Sequence, residues 1–222
     1  MTRRTVLTAM VVVCVLLAGC VSGGGDVPTT STAGSDGNGG DGSGDSSTLD
    51  GGSWALLEFD RPATYTYDVY VEGEGSGTLV WDVQEVDGDT VTVRTVYEMG
   101  DERYESTVTG TKETVEGQLY STPAGILVVT TMFTPSTWYA GQDLRVGTQW
   151  SYQTAEGSAS FEVTGVESYG DVDCYRSEMR VDGSVLYEGC FAPDLGLAAY
   201  TAYYDEDGSL SMEMELVSYE PN

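Results

Sequence analysis

Histidine is absent from the 222-residue chain, and lysine occurs once, at Lys112. The first absence removes His-based triads, His-zinc sites and His-ligated haem. Lys and Arg together number 9 against 36 Asp and Glu, a formal net charge of −27. No basic patch can form on such a chain, which excludes nucleic acid as a partner. Cysteine is scarce (4 residues), too few for a disulfide-built scaffold. No apolar run reaches the roughly 20 residues that a membrane-spanning helix needs. What remains is 40% hydrophobic and 10% aromatic, enough to pack a core.

Residues 1–19 read as an export signal. Thr2-Arg3-Arg4-Thr5-Val6-Leu7 resembles a twin-arginine motif, with Val6 where Phe is usual. Thirteen apolar-leaning residues, Val6 to Ala18, lead to Leu17-Ala18-Gly19-Cys20, which resembles a lipobox. Cys20 is then the lipid-attachment residue and first residue of the mature chain, and membrane lipid is the first partner. The alternative is a plain cleaved or uncleaved leader without lipid. Losing Arg3 and Arg4 leaves 7 basic and 36 acidic residues, so the mature charge is 7 − 36 = −29. In molar salt the Debye length falls to about 3 Å and this self-repulsion is screened. Twin-arginine export, lipobox and acidity together resemble secreted haloarchaeal lipoproteins; a merely acidic mesophilic surface is the other reading.

Residues 20–53 carry the lipidated Cys20 and a linker. Of the 33 residues from Val21 to Ser53, 11 are Gly, 7 Ser, 4 Thr and 5 Asp, and Val21, Val27 and Leu49 are the only large apolar residues. Such a segment buries too little to offset its ordering entropy. Its typical span is about 30 Å. Asp36-Gly37-Asn38-Gly39-Gly40-Asp41 hints at a calcium loop, but Ser47 stands where the twelfth-position glutamate belongs. No metal site or cofactor is expected.

Residues 54–222 read as one mainly β domain: a curved antiparallel sheet, or partly closed half-barrel, of about eleven or twelve strands with few or no long helices. Tyr65, Tyr67, Val69 and Val71 alternate with polar residues, as do Val91-Val93, Trp150-Tyr152, Phe161-Val163 and Met212-Met214-Leu216. Turns are signalled at Asp87-Gly88, Gly100-Asp101, Gly170-Asp171, Asp182-Gly183 and Asp207-Gly208. Trp54-Ala55-Leu56-Leu57 suits one helical turn, and residues 126–132 suit a strand or a helix equally. Val83-Gln84-Glu85-Val86 before Gly88-Asp89 is echoed by Val163-Thr164-Gly165-Val166 before Gly170-Asp171. The echo suggests two hairpin-built halves around residues 122–147.

Cys174 and Cys190 flank the Asp182-Gly183 turn. A three- or five-residue loop makes paired residue numbers sum to 364 and sets the two cysteines directly opposite, within disulfide reach. Tyr175, Met179, Val181, Val185, Tyr187 and Phe191 then share one face, and Cys174, Arg176, Glu178 and Cys190 the other. A redox or metal-binding thiol pair is the alternative.

No residue reads as catalytic. Acidic pairs such as Asp101-Glu102 follow from composition, and Gly73-Glu74-Gly75-Ser76-Gly77 is better read as a turn than a nucleophile elbow. Fifteen tyrosines and four tryptophans either line a concave face that holds an apolar ligand or fill an ordinary β core. Gly147-Thr148-Gln149-Trp150-Ser151-Tyr152, then Phe161 to Gly165, Asp173-Cys174-Tyr175 and Phe191-Ala192-Pro193-Asp194-Leu195-Gly196-Leu197, resemble envelope proteins of the lipoprotein-carrier (LolA/LolB-like) half-barrel group. The resemblance spans residues 147–200. It implies a half-barrel; the carriers close theirs with a helical lid, and no lid helix can be read here. The expected function is a non-catalytic lipoprotein on the outer face of the cytoplasmic membrane, binding or scaffolding an apolar ligand, surface polymer or other envelope component. A structural or cation-binding surface protein, and a carboxylate-pair hydrolase, are the alternatives.

Overall fold

Alternating burial follows the alternating sequence from Ala63 onward, and every alternating run named above is a strand. The described residues hold ten strands against the eleven or twelve expected, because single strands run as long as 12 or 13 residues. The computed structural model describes residues 49, 57–125, 127–128, 144–155 and 157–222. Arg3, Arg4, Cys20, all of residues 20–53 except Leu49, and Trp54 to Leu56 lie outside these residues; Leu57 is not helical. The elements are β1 (Ala63–Val71), β2 (Gly75–Asp87), β3 (Thr90–Met99), β4 (Glu102–Thr111), α1 (Lys112–Tyr120), β5 (Gln149–Gln153), β6 (Ser158–Tyr169), β7 (Val172–Val181), β8 (Ser184–Ala192), β9 (Leu197–Tyr204) and β10 (Leu210–Pro221). Ten strands form one antiparallel sheet in the order β4-β3-β2-β1-β10-β9-β8-β7-β6-β5. Two meanders, β1–β4 and β5–β10, are thus joined where the first strand pairs with the last. The sheet is not closed into a barrel.

The turns obey their sequence signals. Gly170 and Asp171 (φ 55° and 62°), like Asp182 and Gly183 (φ 50° and 84°), are left-handed pairs in two-residue loops, the geometry that matches strand twist. The internal echo is structural as well: the β2–β3 register slips between Val83 and Glu85, and the β6–β7 register between Val163 and Gly165. Both meanders therefore carry a bulge at the same point of the repeated motif, before a two-residue Gly-Asp loop. Bulges bend and twist a sheet. The bend brings the β6–β7 turn against β10, where a Cβ on Gly170 would stand 3.0 Å from the Leu216 carbonyl oxygen.

One face of the sheet carries the core. Through the register, Tyr104, Tyr97, Leu79, Tyr67 and Leu216 lie in a row across β4-β3-β2-β1-β10. Beside this row the Tyr65 ring stacks on Trp81 at 4.0 Å between centroids. A second cluster holds Phe161, Val163, Tyr175, Met179, Tyr187 and Phe191 with Leu144, and Leu49 packs against it while its carbonyl accepts a bond from the Tyr175 hydroxyl (3.0 Å).

One short helix of nine residues lies over the sheet, within the expectation of few or no long helices, although no helix could be read at this position. Val115 and Leu119 of α1 are fully buried in the larger cluster with Val91 and Val93. The sequence hides it because a single i,i+4 apolar pair is its entire stripe and Gly117 interrupts it. Its N-terminus is fixed by the Thr111 N–H donating to Thr114 Oγ1 (2.9 Å). At Gly110 an added Cβ would sit 2.7 Å from Gln118 Nε2 and 2.8 Å from Thr114 Oγ1, so the lack of a side chain lets the helix rest on β4. Gly125, Leu127 and Val128 are also helical, and Leu127 and Val128 are buried. Helix, not strand, holds for these members of the ambiguous 126–132 stretch; the others lie outside the described residues.

Cys174 and Cys190 form a disulfide with Cα atoms 5.3 Å apart, both fully buried. The face assignments hold for Tyr175, Met179, Tyr187 and Phe191 on one side and Cys174, Arg176, Glu178 and Cys190 on the other, but not for Val185, which the bulge sets opposite Arg180 and so on the face of the cysteines. The expected register does not hold. The turn is a two-residue loop with Val181 opposite Ser184, and a bulge between Met179 and Arg180 then sets Cys190 opposite Arg176. The bridge is therefore diagonal. Neither the loop length nor the bulge, which together move the register sum from 364 to 366, is encoded in hydrophobic alternation. Replacing both cysteines by alanine should lower unfolding stability by about 3 kcal/mol, the chain-entropy value for a loop of about 15 residues. Thermal denaturation with and without reductant checks it.

Candidate functional site

The inner face is occupied by the protein itself. Tyr65, Tyr67, Trp81 and Tyr187 are each at most 1% exposed. Burial pushes the Tyr67 hydroxyl well above its ordinary range, and this hydroxyl donates to the Ala198 carbonyl at 3.0 Å. These aromatics fill a β core, which answers the choice between core and ligand lining for the rings named. A recess of about 150 Å³ lies among Leu57, Glu58, Asp60, Arg61, Asp194 and Leu195. Ligand pockets are usually about 300–1,000 Å³. Within the recess Arg61 Nη2 donates to the Asp194 carbonyl (3.2 Å) and its Nε stands 3.9 Å from Asp60. The chain enters it through Phe59, which is buried in the core although its φ is +50°. A bulky side chain in that region carries strain, here held by the packing of the ring.

The outer face is where polar chemistry collects. On β6–β10, Arg176 bridges Glu167 (2.6 Å) and Glu188 (3.4 Å). Tyr169 donates to Glu167 at 2.9 Å, Tyr204 to Glu188 at 3.1 Å and Tyr200 to Glu213 at 2.8 Å. The Tyr169 and Tyr200 rings stack at 5.0 Å. Partial burial works to raise the Glu167 carboxyl, but the bonds from Arg176 and Tyr169 outweigh it and hold the group below its usual range. Burial, followed by its carboxylate acceptor, raises each of these three tyrosines. On β3–β4, Arg94 pairs with Glu105 at 2.8 Å, and Arg103 pairs with Glu98 and, at 3.1 Å, with Glu105.

Carboxylates also face carboxylates. Glu162 stands directly opposite Glu178, Glu178 opposite Glu188, and Asp68 opposite Glu215. Like charges in that relation destabilise a sheet. Arg180 offsets part of this at Glu178 (2.5 Å) and Arg176 part at Glu188. Among the described residues no group of three or more Asp, Glu or Cys is arranged to hold a metal ion.

Cys174 and Cys190 are the sequence-derived site residues that the structure brings together. Arg3, Arg4 and Cys20 lie outside the described residues. The Glu–Arg–Tyr lattice was not expected from the sequence, although its members occupy the polar positions of strands whose alternation was plain. No family model matches the chain, and no curated protein matches it in sequence. Among solved structures the fold is similar to MucB, at a TM-score of 0.47 and 15% identity over 76% of this chain and 56% of that one. It is also similar to a chain of the Pseudomonas aeruginosa MucA/MucB complex (TM-score 0.43, 16% identity, 74% and 54% covered). A third likeness is to an exported protein with a YmcC-like fold from Bacteroides fragilis (0.36, 11%, 75% and 99%). The chain spans about half the length of the MucB chains it matches. Likeness of this degree is too low to transfer an activity or a partner.

Two outcomes follow from the outer face. Glu178→Gln, which relieves two like-charge contacts, should raise the melting temperature in dilute buffer, and the gain should vanish in molar salt as screening shortens to about 3 Å. The second concerns Glu167, whose folded-state pKa is depressed. Its contribution is present above the ordinary glutamate pKa of about 4.3 and is lost as pH falls through the folded value. The stability deficit of Arg176→Met should therefore be full near neutrality and shrink on acidification below about pH 4.3. A deficit that stayed constant with pH would contradict the assignment.

Proposed function

We propose that this chain is a non-catalytic lipoprotein, anchored through Cys20 on the outer face of the cytoplasmic membrane, that displays its sheet domain as a binding or scaffolding surface at the envelope. The observation that carries the reading is the occupied inner face: with Tyr65, Tyr67, Trp81 and Tyr187 filling the core, the surfaces left for recognition are the outer face and the two edges of the sheet. That geometry suits a macromolecular partner better than a small apolar ligand, since interfaces are flat and polar at the rim whereas ligand sites are concave. The Cys174–Cys190 bridge supports an oxidising, exported location. Arg3-Arg4 supplies the export motif, residues 20–53 supply the tether, and the charge of −27 disfavours nucleic acid and suits a saline exterior.

A structural or cation-binding role remains the second reading, favoured by the like-charge rows Glu162–Glu178–Glu188 and Asp68–Glu215. The anchoring is tested by Cys20→Ser expressed in the native host. Release into the medium or arrested processing is the expected result, and unchanged membrane retention with normal processing would overturn it.

A further inference from the structure

Among the described residues the sheet ends in two strands that have a neighbour on one side only, and they differ. β5 is five residues long. β4 runs for ten residues and pairs with β3 through all ten without a register shift. The ladders β1–β10, β9–β10, β2–β3, β6–β7, β7–β8 and β8–β9 all carry such a shift. Natural edges are commonly blunted by proline, lysine, bulges or short length. Glu102-Arg103-Tyr104-Glu105-Ser106-Thr107-Val108-Thr109-Gly110-Thr111 has no proline, lysine or bulge and is not short, and its three charged residues, Glu102, Arg103 and Glu105, each have a partner within the same chain. Nine of its ten residues, all but Gly110, are β-branched, aromatic, hydroxyl-bearing or charged with a partner already fixed on the same face, and the strand is exposed or half-buried along its whole length.

We propose that β4 pairs antiparallel with β4 of a second copy of this chain, about a two-fold axis at Ser106, so that the two ten-stranded sheets become continuous. The occupant follows from self-complementarity. A two-fold normal to the sheet keeps the inner faces on one side, so paired residue numbers must sum to an even value. An axis at Glu105 sets that carboxylate opposite itself. One at Tyr104 overlaps five residues only. One at Thr107 sets Tyr104 opposite Gly110, which offers the ring no side chain to pack on. The axis at Ser106 overlaps Glu102 to Gly110, sets Tyr104 opposite Val108 twice, and places Arg103 opposite Thr109 and Glu105 opposite Thr107. Aromatic–β-branched pairs of this kind stabilise a sheet, and Tyr104 is 40% exposed without a second copy. The two Glu105 side chains fall on the diagonal, each already held by its own Arg94 and Arg103.

The charge fixes the sign of the salt effect. Each copy carries −27, and repulsion between copies is felt over about 10 Å at 0.1 M salt but only about 3 Å at 1 M. The dimer therefore tightens as salt rises, the opposite of an assembly held by ion pairs. The proposal goes beyond the anchoring reading and does not depend on it, because association is read on the full-length Cys20→Ser chain in solution.

Sedimentation velocity of that chain over a range of concentration and salt should show a monomer–dimer equilibrium that shifts to dimer in molar salt. Thr109→Lys, which sets lysine opposite Arg103 of the other copy twice and gives up the Thr92 hydroxyl contact within the copy, should weaken association at least tenfold while the monomer still unfolds cooperatively. Combining it with Arg103→Glu should restore the dimer. Ser106→Cys should give a reducible covalent dimer under mild oxidation, and Tyr152→Cys on β5 should not. A monomer at every salt and concentration, association unaffected by Thr109→Lys, equal cross-linking from Tyr152→Cys, or capture of a different polypeptide at Ser106→Cys would each overturn the second-copy assignment.

Discussion

Everything in this domain depends on the pairing of β1 with β10. Nine residues of β1, Ala63 to Val71, are matched on one side to β2 and on the other to β10. Without the second ladder the molecule is two separate meanders, each with an exposed apolar face. Closing a contact between residues more than 140 positions apart costs chain entropy that local hairpins do not. The reward is the central row of the core: Tyr67 meets Leu216, Val69 meets Met214 and Tyr65 meets Tyr219 across that ladder. The slip at Thr66/Tyr67 in the same ladder adds twist where the two halves join.

Alternation made most of the strands readable before any coordinates, because a half-buried antiparallel sheet writes its period of two directly into Tyr65–Val71 or Met212–Leu216. Turn positions were equally legible, since left-handed Asp and Gly are used where the chain reverses. Strand order was not. Nothing local in Ala63–Val71 names Leu210–Pro221 as its neighbour, and the bulges that reset the register are backbone events with little sequence cost. The helix α1 escaped for a related reason: two buried side chains, Val115 and Leu119, decide its position, and the rest of Lys112–Tyr120 is polar enough to pass for a loop.

Function was less legible than fold. The aromatic content fitted a filled core and, less well, a lined cavity, and the burial of Tyr65, Tyr67, Trp81 and Tyr187 separates the two. The outer-face lattice of Arg176 with Glu167 and Glu188 was invisible because acidic residues recur along most strands of the chain, and only register tells which of them face an arginine and which face each other. A surface with so few cations commits several of them to intramolecular pairs: Arg94, Arg103, Arg176 and Arg180 each hold a glutamate. Other carboxylates accept from hydroxyls instead, as Glu213 does from Tyr200, Asp173 from Ser168 and Asp207 from Ser209.

The placement of β1 has a mechanical meaning. The chain enters this strand at Ala63 beside the end of β10, where the Asn222 amide donates to the Pro62 carbonyl at 3.1 Å. A load delivered through the residues before Ala63 is taken by a strand gripped along both flanks, and it acts along the strand axis. Hydrogen bonds in both ladders then resist together in shear instead of breaking one at a time as an edge strand would peel. Drag on the body of the domain is thus borne at its best-supported strand.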